Sequence, residues 1–263
     1  MKKYLKIFEL TSLQYFTYRL NFILWRVRNV FSLILVFFLW RNIYTNRSMM
    51  FSYTKEKLIT YILAVNAFGA LIFSTLATEI AGDILNGNII NQLLKPISFF
   101  KVVIAKEAAD KLLNFSCSIL EIVCLILIFQ PKIFIQNNLF SYIATFIALT
   151  IGFASSFFIS LTLSYIAFWT PEVWAPRFLY TILTTFMAGT FFPLDILPKP
   201  IYYLLLLTPF PYLIFLPAKV YIEGFSSSLL PLFLVGFTWS CLLFVFNKLI
   251  WQRGIKEFSF FGR

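Results

Sequence analysis

The chain contains no histidine, only three cysteines, and 11 acidic residues among 263. The missing histidine removes the commonest general base and metal ligand, which disfavours a hydrolase or metalloenzyme, though it does not exclude carboxylate chemistry. Cys117, Cys124 and Cys241 all lie in apolar runs and form no CxxC or other metal-ligand spacing. They read as small buried hydrophobes. No Gly-x-x-x-x-Gly-Lys-Ser/Thr stretch occurs, so the chain has no phosphate-cradling loop of its own. Internal repeats, low-complexity tracts and interdomain linkers are absent too, and residues 1–263 read as a single membrane domain.

What is present is apolar. Hydrophobic residues make up 60% and charged residues 13%, where a soluble domain carries about a quarter charged residues. Mean hydropathy is +0.84. Apolar stretches recur near the ~20 residues needed to cross hydrocarbon, which marks a polytopic α-helical membrane protein. A β-barrel is excluded, because its segments alternate over ~10 residues instead of running continuously apolar. The net charge of +11 comes from basic residues flanking the apolar runs, the pattern of topology-setting charge. It is read as marking a lipid bilayer as partner, and not nucleic acid. Residues 1–20 lack the compact apolar region, ending in small residues, of a cleavable signal.

The expected architecture is all-α with six transmembrane helices. Residues 1–21 read as a helix lying at the cytoplasmic interface. The first span has an uncharged core only over residues 29–40. Arg28 and Arg41 are about 20 Å apart on a helix, short of the ~30 Å hydrocarbon core, so both must reach toward opposite interfaces. Further spans are expected near residues 58–78, 112–129, 140–169, 178–192 and 229–250. Residues 201–216 are apolar but broken by Pro209 and Pro211, and six of the eleven prolines fall in residues 193–217. Proline at that density breaks a continuous helix. The segment is expected to form a re-entrant hairpin on the outer side, between spans five and six, packed on protein. Six spans place 15 basic residues inside and 7 outside, whereas a full crossing by residues 201–216 gives 12 against 10. The positive-inside rule favours six spans with both termini in the cytoplasm.

Between spans two and three lies a cytoplasmic segment, residues 79–101. Ile80 and Ile84, then Ile90, Leu93, Leu94 and Ile97, recur at helical spacing, with Gly82 and Gly87 among them. Gly87 permits a sharp turn, and Pro96 tends to end the helix before it. The pattern alone fits either a helix that receives force from a soluble partner or an amphipathic loop.

Three stretches resemble the permeases of type-2 ABC exporters. Glu79, Asp83, Gly87, Leu93, Leu94 and Pro96 are similar to the acidic–glycine–Leu-Leu–x-Pro pattern of that family's coupling region. Ala188, Gly189, Pro193, Pro198, Pro209, Phe210, Pro211, Pro217 and Gly224 resemble its small-Gly…Pro…Leu-Pro…Pro-Phe…Pro…Gly ending. The tail Trp251, Gly254 and Gly262 resembles the viologen and multidrug exporter subgroup, with Phe258 where that subgroup often has tyrosine. The resemblance spans nearly the whole chain, in order. It implies a permease half that dimerises with itself or a sister permease and binds two copies of a separate ATP-binding-cassette ATPase. ATP is then used by the partner, with no cofactor bound by this chain. It further implies coupling to the ATPase through Glu79, Gly82, Asp83, Gly87, Leu93, Leu94 and Pro96. An extracytoplasmic gate is implied around Gly189, Pro193, Pro198, Pro209, Phe210 and Pro211, with Glu79 and Asp83 pairing with basic residues of the ATPase. The implied location is the plasma (inner) membrane.

Glu121 is the only acidic residue well inside an expected span, where a carboxyl costs ~2.5–3.5 kcal/mol on insertion scales. It is a candidate intramembrane polar site, or a group satisfied by neighbouring backbone, and Asn66 poses the same choice. Tryptophan and tyrosine at span ends, such as Trp40, Tyr44, Trp169 and Trp174, read as interface anchors. The competing readings are a secondary transporter or channel acting without an ATPase, which predicts charges in several spans, and a membrane-embedded enzyme. An amphipathic drug, a lipid and a lipid-linked saccharide fit the apolar composition equally well as substrates.

Overall fold

A computed structural model describes residues 2–17, 19–45, 49–73 and 77–261. The described chain is all-α apart from one small hairpin. The helices are α1 (Lys2–Thr17), α2 (Arg19–Ile43), α3 (Lys55–Ile72), α4 (Ala77–Leu85), α5 (Ile89–Leu93), α6 (Phe99–Phe129), α7 (Leu139–Tyr165), α8 (Trp174–Met187), α9 (Lys199–Leu206), α10 (Phe215–Glu223) and α11 (Leu230–Phe261). Strands β1 (Met49–Met50) and β2 (Tyr53–Thr54) pair antiparallel between α2 and α3. Phe51 and Ser52 both have positive φ, as a two-residue type I′ turn requires. Tyr44 donates its hydroxyl to the carbonyls of Met50 and Tyr53, each at 3.0 Å, and pins this hairpin to the end of α2.

Four of the described helices are long and apolar enough to cross a membrane: α2, α6, α7 with its 3₁₀ extension to Phe168, and α11 with the turn before it. The other two expected spans fall on α3 and α8. Helix α3 has 18 residues and opens on Lys55, Glu56 and Lys57, so its apolar part is shorter than a free-standing span. Helix α8 has 14 residues, about 21 Å at 1.5 Å per residue. Several boundaries differ from expectation, among them the end of α3 at Ile72 and of α11 at Phe261, and two of the differences have identifiable reasons. The expected span to residue 192 stops at Met187, because Gly189 turns with φ +79°. Helix α6, the third expected span, starts at Phe99, thirteen residues before Leu112, because Glu107, Asp110 and Lys111 are buried inside the fold.

Helix α7 is the central one: 44% of its apolar window is buried, against 11–17% for the other three. Its neighbours are α3, α4, α10 and α11. Hydroxyls replace bulk along the α7–α11 seam. Ser155 and Ser240 meet at 2.7 Å, and Asn247 donates to Thr162 Oγ1 at 3.0 Å, the close-packed, polar-linked contact favoured between membrane helices. Helix α10 is the most enclosed short element, with Phe215, Leu216, Ala218, Val220 and Ile222 all buried. By contrast, α2 buries only Leu33, Phe37 and Trp40. The two arginines flanking its uncharged core lie over aromatic faces, Arg28 over Trp25 at 4.6 Å and Arg41 over Phe38 at 5.9 Å. Cys117 is half-buried, whereas Cys124 and Cys241 are exposed. The expectation of three buried cysteines is thus corrected, since the last two sit on outward faces of α6 and α11.

Candidate coupling and gating sites

The chain gathers its functional candidates at two opposite ends of the bundle. At one end lie α1, α4, α5, the first turns of α6, and the last turns of α7 and α11. Ile80, Ala81 and Ile84 of α4 are buried with Ile89 against Val103, Phe157, Leu161 and Tyr165. The helix breaks at Gly87, where φ is +74°, a conformation that costs glycine least. The short α5 follows, and the chain passes Pro96 before Ser98 opens α6. The apolar positions at helical spacing therefore divide. Ile80 and Ile84 stabilise this chain's own core, while Leu85, Ile90, Leu93 and Leu94 face outward, Leu94 being 78% exposed.

The two acidic residues of the segment have partners within the chain. Glu79 forms an ion pair with Lys106 of α6. Asp83 accepts from Gln92 Nε2. Burial raises the Asp83 carboxyl above its ordinary range, and nearby Glu79 adds to this, while the Gln92 bond and Lys106 pull the other way. Gly82 lies on the open side of α4, with nothing within 4 Å of where a Cβ would stand. The tail comes to the same end. Trp251 stacks on Phe99 at 4.8 Å, and Phe258 meets Phe168 edge-on at 5.8 Å. Gly254 is packed so closely on the Phe168 ring that a Cβ there would clash. Gly262 lies outside the described residues.

The opposite end holds the proline-rich stretch. Gly189 is in the left-handed region, and its carbonyl accepts from Tyr61 Oη at 2.6 Å. Trp40 Nε1 donates to the Phe191 carbonyl at 2.8 Å. Pro193 precedes a 3₁₀ turn, Leu194–Ile196, and Pro198 stands just before α9. Pro209 leads into a second 3₁₀ turn made of Phe210, Pro211 and Tyr212. The Tyr212 hydroxyl donates back to Leu206 at 2.6 Å, which closes the turn between α9 and α10. Helices of 8 and 9 residues reach only about 12–14 Å each, so neither crosses a membrane.

An ion network that the sequence reading missed fastens this end. Tyr53 donates to Asp195 at 2.9 Å and lies 3.3 Å from Glu223. Lys219 pairs with both Asp195 and Glu223. Burial alone would lower the Lys219 ammonium, but Asp195 and Glu223 outweigh it and hold it above the ordinary lysine range. Burial and the same two carboxylates push Tyr53 far above the ordinary phenol range. The i,i+4 pair Lys219/Glu223 was the readable signal. Its third member, Asp195, is 24 residues away in sequence and needed the fold.

Within the bundle, Glu121 meets Arg26 of α2, Nε to Oε1 at 3.3 Å. Arg26 also donates to the Asn114 carbonyl at 3.0 Å. Asn66 accepts from Ser118 across α3 and α6. A second buried group lies where α1 and the end of α3 meet α6. Lys111 contacts Glu107 at 3.5 Å and Asp110 at 3.6 Å and donates to the Phe73 carbonyl at the end of α3. Tyr15 of α1 donates to Asp110. Glu121 and Asn66 stood out in the sequence; Glu107, Asp110 and Lys111 did not, because they precede the expected start of their span at Leu112.

An apolar bundle with four helices long enough to cross a membrane is the architecture of a multi-pass membrane protein. A family model described as "ABC-2 family transporter protein" matches residues 30–262, and the chain belongs to that family of type-2 ABC permeases. Members of the family are transport membrane subunits, with an ATPase partner and usually a dimeric assembly implied. Neither the curated proteins nor the solved structures give a significant match.

Proposed function

We propose that this chain is the permease half of an ATP-driven exporter in the viologen and multidrug exporter-like subgroup. In this reading α3 and α8 join the four long helices as spans, giving six, with α1 at the interface and both termini in the cytoplasm of a plasma-membrane protein. The hairpin of residues 193–217 is re-entrant and gates the outer end around Gly189, Pro193, Pro198, Pro209, Phe210 and Pro211. A separate ATP-binding-cassette subunit hydrolyses ATP, and a second permease copy or sister permease completes the pathway. The cargo is an amphipathic drug, lipid or lipid-linked saccharide.

The observation that carries this reading is the division of the α4–α5 segment. Its inner face is anchored on α7, and its outer face leaves Leu93 at 40% and Leu94 at 78% exposure. A connector that is rigid on one side and apolar on the other can pass a push from a docked partner into α7 and, through Glu79–Lys106, into α6. Contact with the ATPase thus falls on Leu85, Ile90, Leu93 and Leu94, with Gly82, Gly87 and Pro96 shaping the connector. Glu79 and Asp83 hold its inner geometry. Co-purification of the ATPase with the permease, compared between the wild type and variants on the two faces, tests the assignment.

A further inference from the structure

A groove of about 470 Å³ runs between α1 and the stretch from α5 into α6. That is within the roughly 300–1,000 Å³ typical of small-ligand sites. Its wall is apolar, with Ile7 and Leu10 of α1 opposite Phe99 and Val102 of α6, while Lys95 and Lys106 stand on its rim. Lys106 is paired with Glu79. Lys95 is exposed and makes no ion pair among the described residues.

The level of the groove in the membrane follows from α6. Its 31 residues span about 46 Å, well beyond the ~30 Å hydrocarbon core. The surplus is at its start, where Lys101, Lys106, Glu107, Asp110 and Lys111 crowd the first thirteen residues. Phe99, Val102 and Lys106 therefore lie in the headgroup layer. Helix α1 lies at the same level and leaves Leu5, Leu10 and Leu13 at 65%, 53% and 53% exposure, beside Lys3 and Lys6. An apolar groove with a cationic rim at headgroup depth matches a lipid with a negative head, because the two charges attract where the acyl chain has an apolar wall. The outward residues of the coupling segment, Leu93 and Leu94, do not line this groove, so it is separate from the surface assigned above to the ATPase.

We propose that the groove binds an anionic phospholipid, with one acyl chain along Ile7, Leu10, Phe99 and Val102 and the phosphate at Lys95. This site fastens α1 to the start of α6 through a lipid. It depends neither on which side of the membrane this end occupies nor on the identity of the ATPase.

The test is native mass spectrometry of the purified permease in detergent micelles doped with equal amounts of dioleoyl phosphatidylglycerol and dioleoyl phosphatidylcholine. The wild type should retain the anionic lipid in preference. Lys95→Gln should lower that retention about fivefold, the effect of one cation beside an anionic head. Leu10→Trp, on an exposed position of the wall, should lower retention by filling the groove. Lys199→Gln, on the hairpin at the other end, should change nothing. Equal retention of both lipids by the wild type overturns the proposal, as does a loss in Lys199→Gln matching that in Lys95→Gln. If Lys95→Gln weakens ATPase co-purification with lipid retention intact, the groove belongs to the protein partner and the proposal also fails.

Discussion

Arg26 on α2 and Glu121 on α6 form an ion pair at 3.3 Å, with side chains only 13% and 11% exposed. A pair so little exposed is costly to break from one side, because the remaining charge is left without compensation, at about 3–5 kcal/mol. Arg26→Met and Glu121→Leu should therefore each lower the thermal midpoint of the purified protein. The double variant should recover most of the loss, and a double-mutant cycle reads the coupling. Additive losses would mean that the two residues act apart.

The hairpin end makes a prediction in pH. Lys219 has its ammonium held above its ordinary value of 10.5 by Asp195 and Glu223 against the opposing effect of burial. A raised lysine value contributes stability that is complete below the unfolded-state value and is lost as pH rises through the folded-state one. The melting temperature of the wild type should show no Lys219-dependent change near neutrality and fall above pH 10.5. Lys219→Met should melt lower near neutrality and lose that alkaline step. A step of equal size in both proteins would assign it elsewhere.

Two glycines separate backbone strain from open space. Gly189 has φ +79°, and a Cβ there would lie 2.8 Å from Tyr61 Oη. Gly189→Ala should destabilise by at least the ~1–2 kcal/mol of a left-handed residue and break the Tyr61 bond. Gly82 sits inside α4 with no neighbour within 4 Å, so Gly82→Ala should stabilise by ~0.5–1 kcal/mol. Thermal denaturation of both variants checks the contrast. A neutral Gly189→Ala would contradict the hairpin geometry.

Asp83 carries a cost at neutral pH. Its value is raised, chiefly by burial, so the folded state binds the proton more tightly than the unfolded one. Stability from this group then declines as pH rises from 3.8 through the raised value, the reverse of a salt-bridged aspartate. Asp83→Asn keeps an oxygen to accept from Gln92. It should match or exceed the wild type in thermal stability at neutral pH, with the acidic-range decline flattened. A marked loss of stability would show that the charged form is needed inside the fold.

Much of this was legible in the chain. The uncharged runs located α2, α6, α7 and α11, and the proline cluster located the broken segment from Pro193 to Pro217, because apolar length and missing backbone donors act locally. What the runs could not give was the identity of partners. Arg26 reads as a topology-setting charge until α2 is laid against α6, and Asp195 reads as a loop residue until α10 brings Lys219 beside it. The coupling segment shows the same limit. Its helical period was visible, but periodicity does not say that Ile80 and Ile84 turn toward α7 while Leu93 and Leu94 turn away.

That division is the central claim, and one experiment reads it directly: quantitative co-purification of the partner ATPase with tagged permease at matched membrane expression. Replacing Leu93 and Leu94 together by serine removes apolar surface only from the outer face. The account expects this variant to insert and melt like the wild type and to lose most of its ATPase. Ile84→Ser, on the inner face, should instead lower permease stability, because Ile84 is only 2% exposed. Wild-type ATPase recovery by the Leu93→Ser/Leu94→Ser variant would contradict the assignment of the outer α5 face as the contact through which this permease is driven.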